Sequence, residues 1–463
     1  GLAGDGGDQA APRHDAGLRR QPHVKPVAWN LQNRVSMTSG LSFLMAARRC
    51  EIAGLQQLTL TSALVRDIAR LVHALQRERG LSNLYVGSQG RRWGPEREQQ
   101  IGACEVLQQQ VRHRLDGLDG QALPPGHGAR LFSRIAYAIQ GLDDLPPLRA
   151  RITAGRLSPH QITAAFVRLI NGLLAVVFEA ADTAPDPDIS RRLVAMFNFM
   201  QGKEFAGQER ATGSGLFASG VADPDEQHHL LELIDSQERC LLVFADFASE
   251  ALRADWQRLS SPLVLAELER LRRILGTAAS GAPLDVTLSQ HWFDVCTARI
   301  DAMKAIEDTL ADELLALCEQ RLQATQKELA LLAQMPPVDG PHAGFFDQPD
   351  SVLPVHAGVA MGVGGATQAF AGATPVERSI LDLVQAQARR LQRMSDELDT
   401  VRASLNERKL IERAKGLLMA HRHLSEDEAH KILRQMAMNQ NRRLVEVAEA
   451  VLASAEVLGE RRP

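Results

Sequence analysis

The 463-residue chain is predicted to be all-α: a large helical bundle, a flexible linker, a coiled-coil-like helix and a C-terminal three-helix bundle. Three observations predict it. From about residue 41 to 335, apolar residues recur at steps of three and four, the helical repeat. No stretch of that block alternates with period two for long enough to build a sheet. Aromatic residues are only 4% of the chain, and runs of Ala, Leu, Gln, Arg and Glu favour helices over strands. At this length two or three domains are expected.

Taken in order, residues 1–40 are rich in Gly, Asp, Arg and Pro, lack periodicity and read as disordered. Met37, at the edge of the first periodic segment, is a candidate for the true start. Helices are expected at 43–57, 61–88, 96–116, 127–141, 145–155, 159–181, 187–212, 224–252, 261–276 and 289–333, forming one domain over 41–335. A short internal repeat, "ERGLSNLYVGSQG" (78–90) against "ERATGSGLFASG" (209–220), suggests two related helical halves. Residues 336–376 are interrupted by Gly and Pro and read as a linker. A heptad series then fills 377–405: Ile380, Val384, Gln387, Leu391, Met394, Leu398, Val401 and Leu405. That seam either joins two copies of the chain in a homodimer or docks on the bundle.

The terminal unit, 406–463, reads as three helices. Its second helix opens with a capping box in which Ser425 and Glu428 satisfy each other's backbone donors. Asn439, Gln440 and Asn441 make the turn into the third. Between 408 and 443 there are nine Lys or Arg against four Asp or Glu, a balance of +5 that suits phosphates. The whole-chain net charge of −4 would not have suggested such a partner.

One face of the second predicted helix runs Leu64, Ile68, Leu71, Leu75, Arg79, Ser82 and Val86. Arg79 therefore stands where the pattern asks for leucine. Arg299 stands on an apolar stripe too, with Trp292, Cys296 and Met303. An unpaired buried charge is very costly, so both arginines need acid partners or a bound anion. The plain structural reading pairs Arg79 with Glu209, and Arg299 with Glu307 or Asp301. Arg210, the repeat's counterpart of Arg79, is either a second pocket arginine or, the favoured reading, part of an ion pair.

The segment "NERKLIERAKGLLMAHRHLSEDEAHKILRQMAMNQNRRLVEVAEAVL" (406–452) resembles an ANTAR domain, the RNA-binding module of bacterial antiterminators. The helical block resembles a NIT domain, a nitrate- and nitrite-sensing module. The segments that carry this likeness are "LVHALQRERGLSNLYVGSQG" (71–90), "LVAMFNFMQGKEFAGQER" (193–210) and "HWFDVCTARIDAMKAIEDTL" (291–310). The order of parts is that of nitrate-responsive antiterminators. The resemblance implies that nitrate or nitrite is held by Arg79 and Arg299. It also implies that leader mRNA with paired hairpins is bound, and that transcribing RNA polymerase is affected indirectly. Short helices cannot read a deep A-form groove, but they can contact phosphates and splayed loop bases. Arg413, Lys415, Arg434, Arg442 and Arg443 are the expected phosphate contacts, and Asn439 and Gln440 the expected base contacts. The planar guanidinium, with parallel donors, suits a planar trigonal anion better than a lysine does.

Other chemistry is not expected. The five cysteines are scattered and form no CxxC, so neither a disulfide frame nor a zinc site is suggested. His421, His423 and His430, with His228 and His229, lack carboxylate or cysteine support, so no metal is expected. There is no phosphate loop, GxSxG, HExxH or kinase signature, hence no catalytic residue and no enzyme. The alternating strands and helices of a receiver domain are missing as well, so the signal is a ligand. The nearest thing to a membrane span, "ITAAFVRLINGLLAVVFEA", is broken by Arg168 and Asn171, and no secretory leader is seen, which points to the cytoplasm. Three alternatives stay open: a constitutive helical scaffold, an ANTAR regulator of another small molecule, and a DNA-binding helix-turn-helix. The last is the weakest, because no Gly-containing turn leads into a base-reading helix.

Overall fold

The computed structural model describes residues 40–119, 128–334 and 375–459, leaving out 423 and 425. Every regular element among them is an α-helix. The first half comprises α1 (Gly40–Gly87), α2 (Gly94–Asp119), α3 (Gly128–Asp143), α4 (Leu145–Thr153) and α5 (Pro159–Thr183). The second comprises α6 (Pro187–Ser219), α7 (Pro224–Phe247), α8 (Glu250–Leu259), α9 (Pro262–Thr277) and α10 (Leu288–Ala333). Then come α11 (Pro375–Arg422), α12 (Glu426–Gln440) and α13 (Leu444–Gly459). Of the stretch expected to be disordered, 1–40, residues 1–39 lie outside the described residues, as do most of the expected linker and Ser425 of the capping box; Gly40 opens α1.

Four predicted boundaries move. The helices expected at 43–57 and 61–88 are one, α1, because no Gly or Pro separates them. Thr59 and Thr61 instead return their hydroxyls to the Leu55 and Gln57 carbonyls. The segment 224–252 is two helices: Ala248 leaves the helical region and the Ser249 hydroxyl accepts from the Leu252 amide to start α8. Helix α6 runs past 212 to Ser219, where Gly220 closes it at φ 70°. The heptad helix and the first helix of the terminal unit are continuous in α11.

The main core lies among α1, α5, α6 and α10, filled by Leu64, Leu71, Phe166, Phe199, Met303 and Leu310. Helix α5 is long and apolar enough to cross a membrane, which corrects the sequence reading: Arg168 and Asn171 do not disqualify it. Half of its most apolar stretch is buried inside the protein, with Ile162, Phe166 and Ile170 facing the core. A second cluster gathers Phe217, Leu230, Leu271 and Trp292 at the α6–α7–α9–α10 end. A third holds α11, α12 and α13 together through Ala414, Leu433, Ala437 and Val447.

The heptad seam docks on the bundle. Val401 and Leu405 join the main core, Gln387 donates to Glu51 of α1 at 2.5 Å, and Lys409 meets Asp182 of α5 at 2.5 Å. Leu391, halfway along the seam, stays exposed.

Candidate functional site: an arginine cluster and a basic three-helix face

Arg79 is 1% exposed and meets Glu204 of α6, itself fully buried. Two guanidinium nitrogens reach the two carboxylate oxygens at 2.5 and 3.3 Å. Gln76 and Gln208 donate to the same carboxylate at 2.8 and 2.9 Å. The close approach depends on Gly207, where a Cβ would lie 2.6 Å from the Arg79 Nη2. The arginine in the leucine position thus meets a carboxylate that periodicity could not single out. The expected Arg79–Glu209 pair is not formed.

Glu209 is held elsewhere. Arg272 of α9 forks onto it at 2.6 and 2.8 Å, and Gln237 of α7 donates at 2.6 Å. The other repeat does the same thing: Arg149 of α4 forks onto buried Glu78 at 2.8 and 2.8 Å. The short match between 78–90 and 209–220 therefore marks two equivalent ion-pair clamps. In each half the Glu of the Glu-Arg pair takes an arginine from a short helix, and the Arg turns to another neighbour.

The two halves differ in what surrounds the clamp. In the first, Arg97 is buried with neutral partners, the Ser82 and Thr153 hydroxyls and the Arg149 carbonyl. In the second, Arg210 forms no ion pair among the described residues, against expectation. It donates to the Thr297 hydroxyl at 2.9 Å and lies 4.7 Å from the Phe293 ring centre. Burial, and then the charge of Arg79, push its pKa down to about 10. Arg299 is short of partners as well. Its Nε and Nη1 are buried without a hydrogen-bond acceptor, and its nearest carboxylate oxygen, on Glu209, is 3.8 Å away. Burial and the neighbouring Arg272 charge lower its pKa. Neither Glu307 nor Asp301 pairs with it; Glu307 is taken by Lys203 at 2.6 Å.

Arg79 and Arg299 share no hydrogen-bond or ion-pair partner. Arg210 stands between them: its guanidinium lies against Gly80, where a Cβ would be 3.1 Å from Nη2, and reaches Thr297 on α10. Four guanidinium groups (Arg79, Arg210, Arg272 and Arg299) thus crowd around two buried carboxylates, Glu204 and Glu209. Sequence reasoning missed Glu204, Arg272 and Thr297. The signal for Glu204 was there in "QGKEFAGQER": glycines at 202 and 207 in an apolar helix mark close helix contacts.

On the terminal unit, Arg413, Asn439, Gln440, Arg442 and Arg443 are exposed. Of the three residues expected in the turn between α12 and α13 only Asn441, at φ 50°, lies in it, followed by Arg442 and Arg443, while Asn439 and Gln440 are still helical. Two expected RNA contacts are placed differently. Lys415 is 8% exposed and pairs with Glu412 at 2.8 Å, so as placed it cannot meet a phosphate. Arg434 is bound to the bundle, 3.0 Å from Asp235 and 3.5 Å from Glu232, both on α7. Beside them, burial and then the Lys415 and Arg239 charges hold His430 below its ordinary pKa.

The fold and these two sites define a class: a helical module with a cation-rich interior, joined through one long helix to a small basic module docked against it. The family profile for NIT, described as nitrate and nitrite sensing, matches residues 70–315, and that for the ANTAR domain matches 399–452. The chain belongs to the NIT family, in the form that also carries an ANTAR domain. It is 35% identical over 412 residues to the nitrate regulatory protein of Klebsiella oxytoca, covering 88% of this chain and 93% of that one. The solved structure of the NasR transcription antiterminator is similar at 30% identity and a TM-score of 0.56, covering 89% of this chain and 98% of that one.

Proposed function

We propose that the chain is a nitrate- and nitrite-responsive regulator of transcription antitermination, binding leader-RNA hairpins through its ANTAR module when the anion occupies the NIT module. The carrying observation is the surplus of buried positive charge where α6 meets α10: Arg299 has two donors without acceptors, and Arg210 has no carboxylate. A weakly basic anion such as nitrate accepts only modest hydrogen bonds. A dry site with more than one full charge is the natural way to hold it. Arg299 and Arg210 would donate to the anion directly. Arg79 would add charge from behind its pair with Glu204, and would contact the anion only by leaving that carboxylate.

The output follows from the same helices. Helix α6 carries Arg210 in its second half and also packs against α11, as α1 does at Gln387. An anion drawing α6 and α10 together would alter the seat of α11. Arg434 would then leave Asp235 and Glu232 and join Arg413, Arg442 and Arg443 on RNA phosphates, with Asn439 and Gln440 at loop bases. By reciprocity, leader RNA would tighten nitrate binding. The protein works in the cytoplasm on nascent transcript, acts on RNA polymerase only through that transcript, and as a homodimer would offer two ANTAR modules to paired hairpins. No enzymatic step and no cofactor enter this reading.

The test is a calorimetric titration of the full chain with nitrate, and separately with nitrite and sulfate, in low-chloride buffer. Saturable heat with nitrate or nitrite but not with sulfate is the expected result. Silence with both nitrogen anions would overturn the reading and return the arginines to structural pairs.

A further inference from the structure

A cavity of about 400 Å³ lies where the start of α1, the end of α10 and the first part of α11 meet. That volume falls within the roughly 300–1,000 Å³ of small-molecule sites and far exceeds what nitrate needs. Four arginines line it, Arg48 from α1, Arg321 from α10, and Arg390 and Arg393 from α11, against one lining carboxylate, Glu328. Glu51 and Glu328 are shared between Arg48 and Arg390, at 2.7 to 3.8 Å. Arg321 turns to Asp188 and, at 3.8 Å, to Asp186. The Asp186 carboxylate already accepts from the first amides of α6. Arg393 is exposed and forms no ion pair among the described residues. The Nε atoms of Arg48 and Arg321 and the Oε1 of Gln387 are buried without a hydrogen-bond partner.

We infer that this cavity binds a small phosphoryl polyanion, and that the bound anion clips α11 to the sensor. The lining decides the class. Among the described residues no aromatic ring faces the cavity to stack on a nucleobase, and the apolar contribution is Ala324, Leu383 and Ala386. Recognition rests on Arg393, which has no ion pair among the described residues, and on donors that Arg48, Arg321 and Arg390 would share between their carboxylates and the anion. A tetrahedral phosphoryl group accepts forks from several directions, whereas a planar carboxylate accepts a fork on one edge. Because two of the arginines ride on α11, any such ligand favours the docked arrangement, in which Arg434 is held by Asp235 and Glu232. It therefore opposes RNA binding, and RNA opposes it by the same factor. The site shares no residue with the Arg79–Arg210–Arg299 cluster, so it stands whether or not that cluster binds nitrate.

The experiment titrates the full chain with inorganic pyrophosphate at constant ionic strength, with citrate as the carboxylate control. It is repeated on R393A, on R321A/R393A and on R442A/R443A, which alters only the exposed RNA face. Expected are one saturable pyrophosphate site, affinity about tenfold lower in R393A and lower still in the double variant, and wild-type affinity in R442A/R443A. Pyrophosphate should also weaken leader-RNA binding by the wild type and not by R321A/R393A. Three results would overturn the inference: no saturable binding, equal affinity for citrate, or loss of binding in R442A/R443A rather than R393A. Arg393 is exposed and has no ion pair among the described residues, so its removal leaves the fold intact.

Discussion

Replacing Arg299 by Met separates a sensing arginine from a structural one. The substitution keeps the apolar stem against Trp292 and Cys296 and removes only the charge. On the stability side the charge holds little together. Its Nε and Nη1 meet no acceptor, and the nearest carboxylate, 3.8 Å away on Glu209, is already satisfied by Arg272 and Gln237 at 2.6 to 2.8 Å. Burial and the Arg272 charge both disfavour the cation there. Removing it should leave stability unchanged or raise it by about 1–2 kcal/mol, since an uncompensated buried charge is lost without orphaning a partner. On the binding side a charge-assisted hydrogen bond is worth about 1.5–3 kcal/mol, so nitrate affinity should fall roughly 10- to 150-fold. Urea unfolding measures the first and calorimetry the second. A variant destabilised by more than about 2 kcal/mol with nitrate affinity intact would refute the reasoning, for Arg299 would then be an ordinary ion-pair partner.

Arg79 should behave oppositely: R79A leaves fully buried Glu204 with only Gln76 and Gln208 as donors, and should cost about 3–5 kcal/mol in urea unfolding, most of it recovered in R79M/E204L. Equal stability of R79A and wild type would show that the pair contributes nothing. His73 is held near a pKa of about 3 by burial, then by Lys203, Lys304, Arg77 and Arg210. The unfolded chain binds the proton near 6.5 and the native one only near 3, so this contribution is complete above about pH 6.5 and is lost as pH falls, at up to about 1.4 kcal/mol per unit. Between pH 6.5 and 5 wild type should therefore lose about 2 kcal/mol more than H73Q, and parallel pH profiles would count against that account. At Gly213 a Cβ would lie 2.3–2.5 Å from the Trp292 indole, whose Nε1 donates to the Arg210 carbonyl, so G213A should cost at least about 1–3 kcal/mol. An unchanged urea midpoint for G213A would mean that the α6–α10 contact is slack.

Periodicity told which face each helix buries, and so the all-α class, the terminal three-helix unit and the anomaly at Arg79 could all be read directly. What lies across from a buried face is a tertiary fact. Glu204 and Glu209 stand five residues apart on α6, and only the packing of α1 on one side and α7 with α9 on the other decides that Arg79 takes the first and Arg272 the second. The docking of Arg434 was equally hidden, because a basic residue on an amphipathic helix carries no mark of whether RNA or Asp235 will meet it. The internal repeat was the most telling signal and also the most ambiguous. Its two copies build the same clamp, Glu78 with Arg149 and Glu209 with Arg272, yet their surroundings differ in one physical respect. Around the first, hydroxyls and a carbonyl satisfy Arg97, and the charges balance as Arg149 answers Glu78 and Glu105. Around the second, Arg272 likewise answers Glu209 and Glu269, but Arg210 and Arg299 are added without a further buried carboxylate among the described residues. In the proposed reading the anion is held where the duplicated scaffold carries this extra buried charge, in its second half.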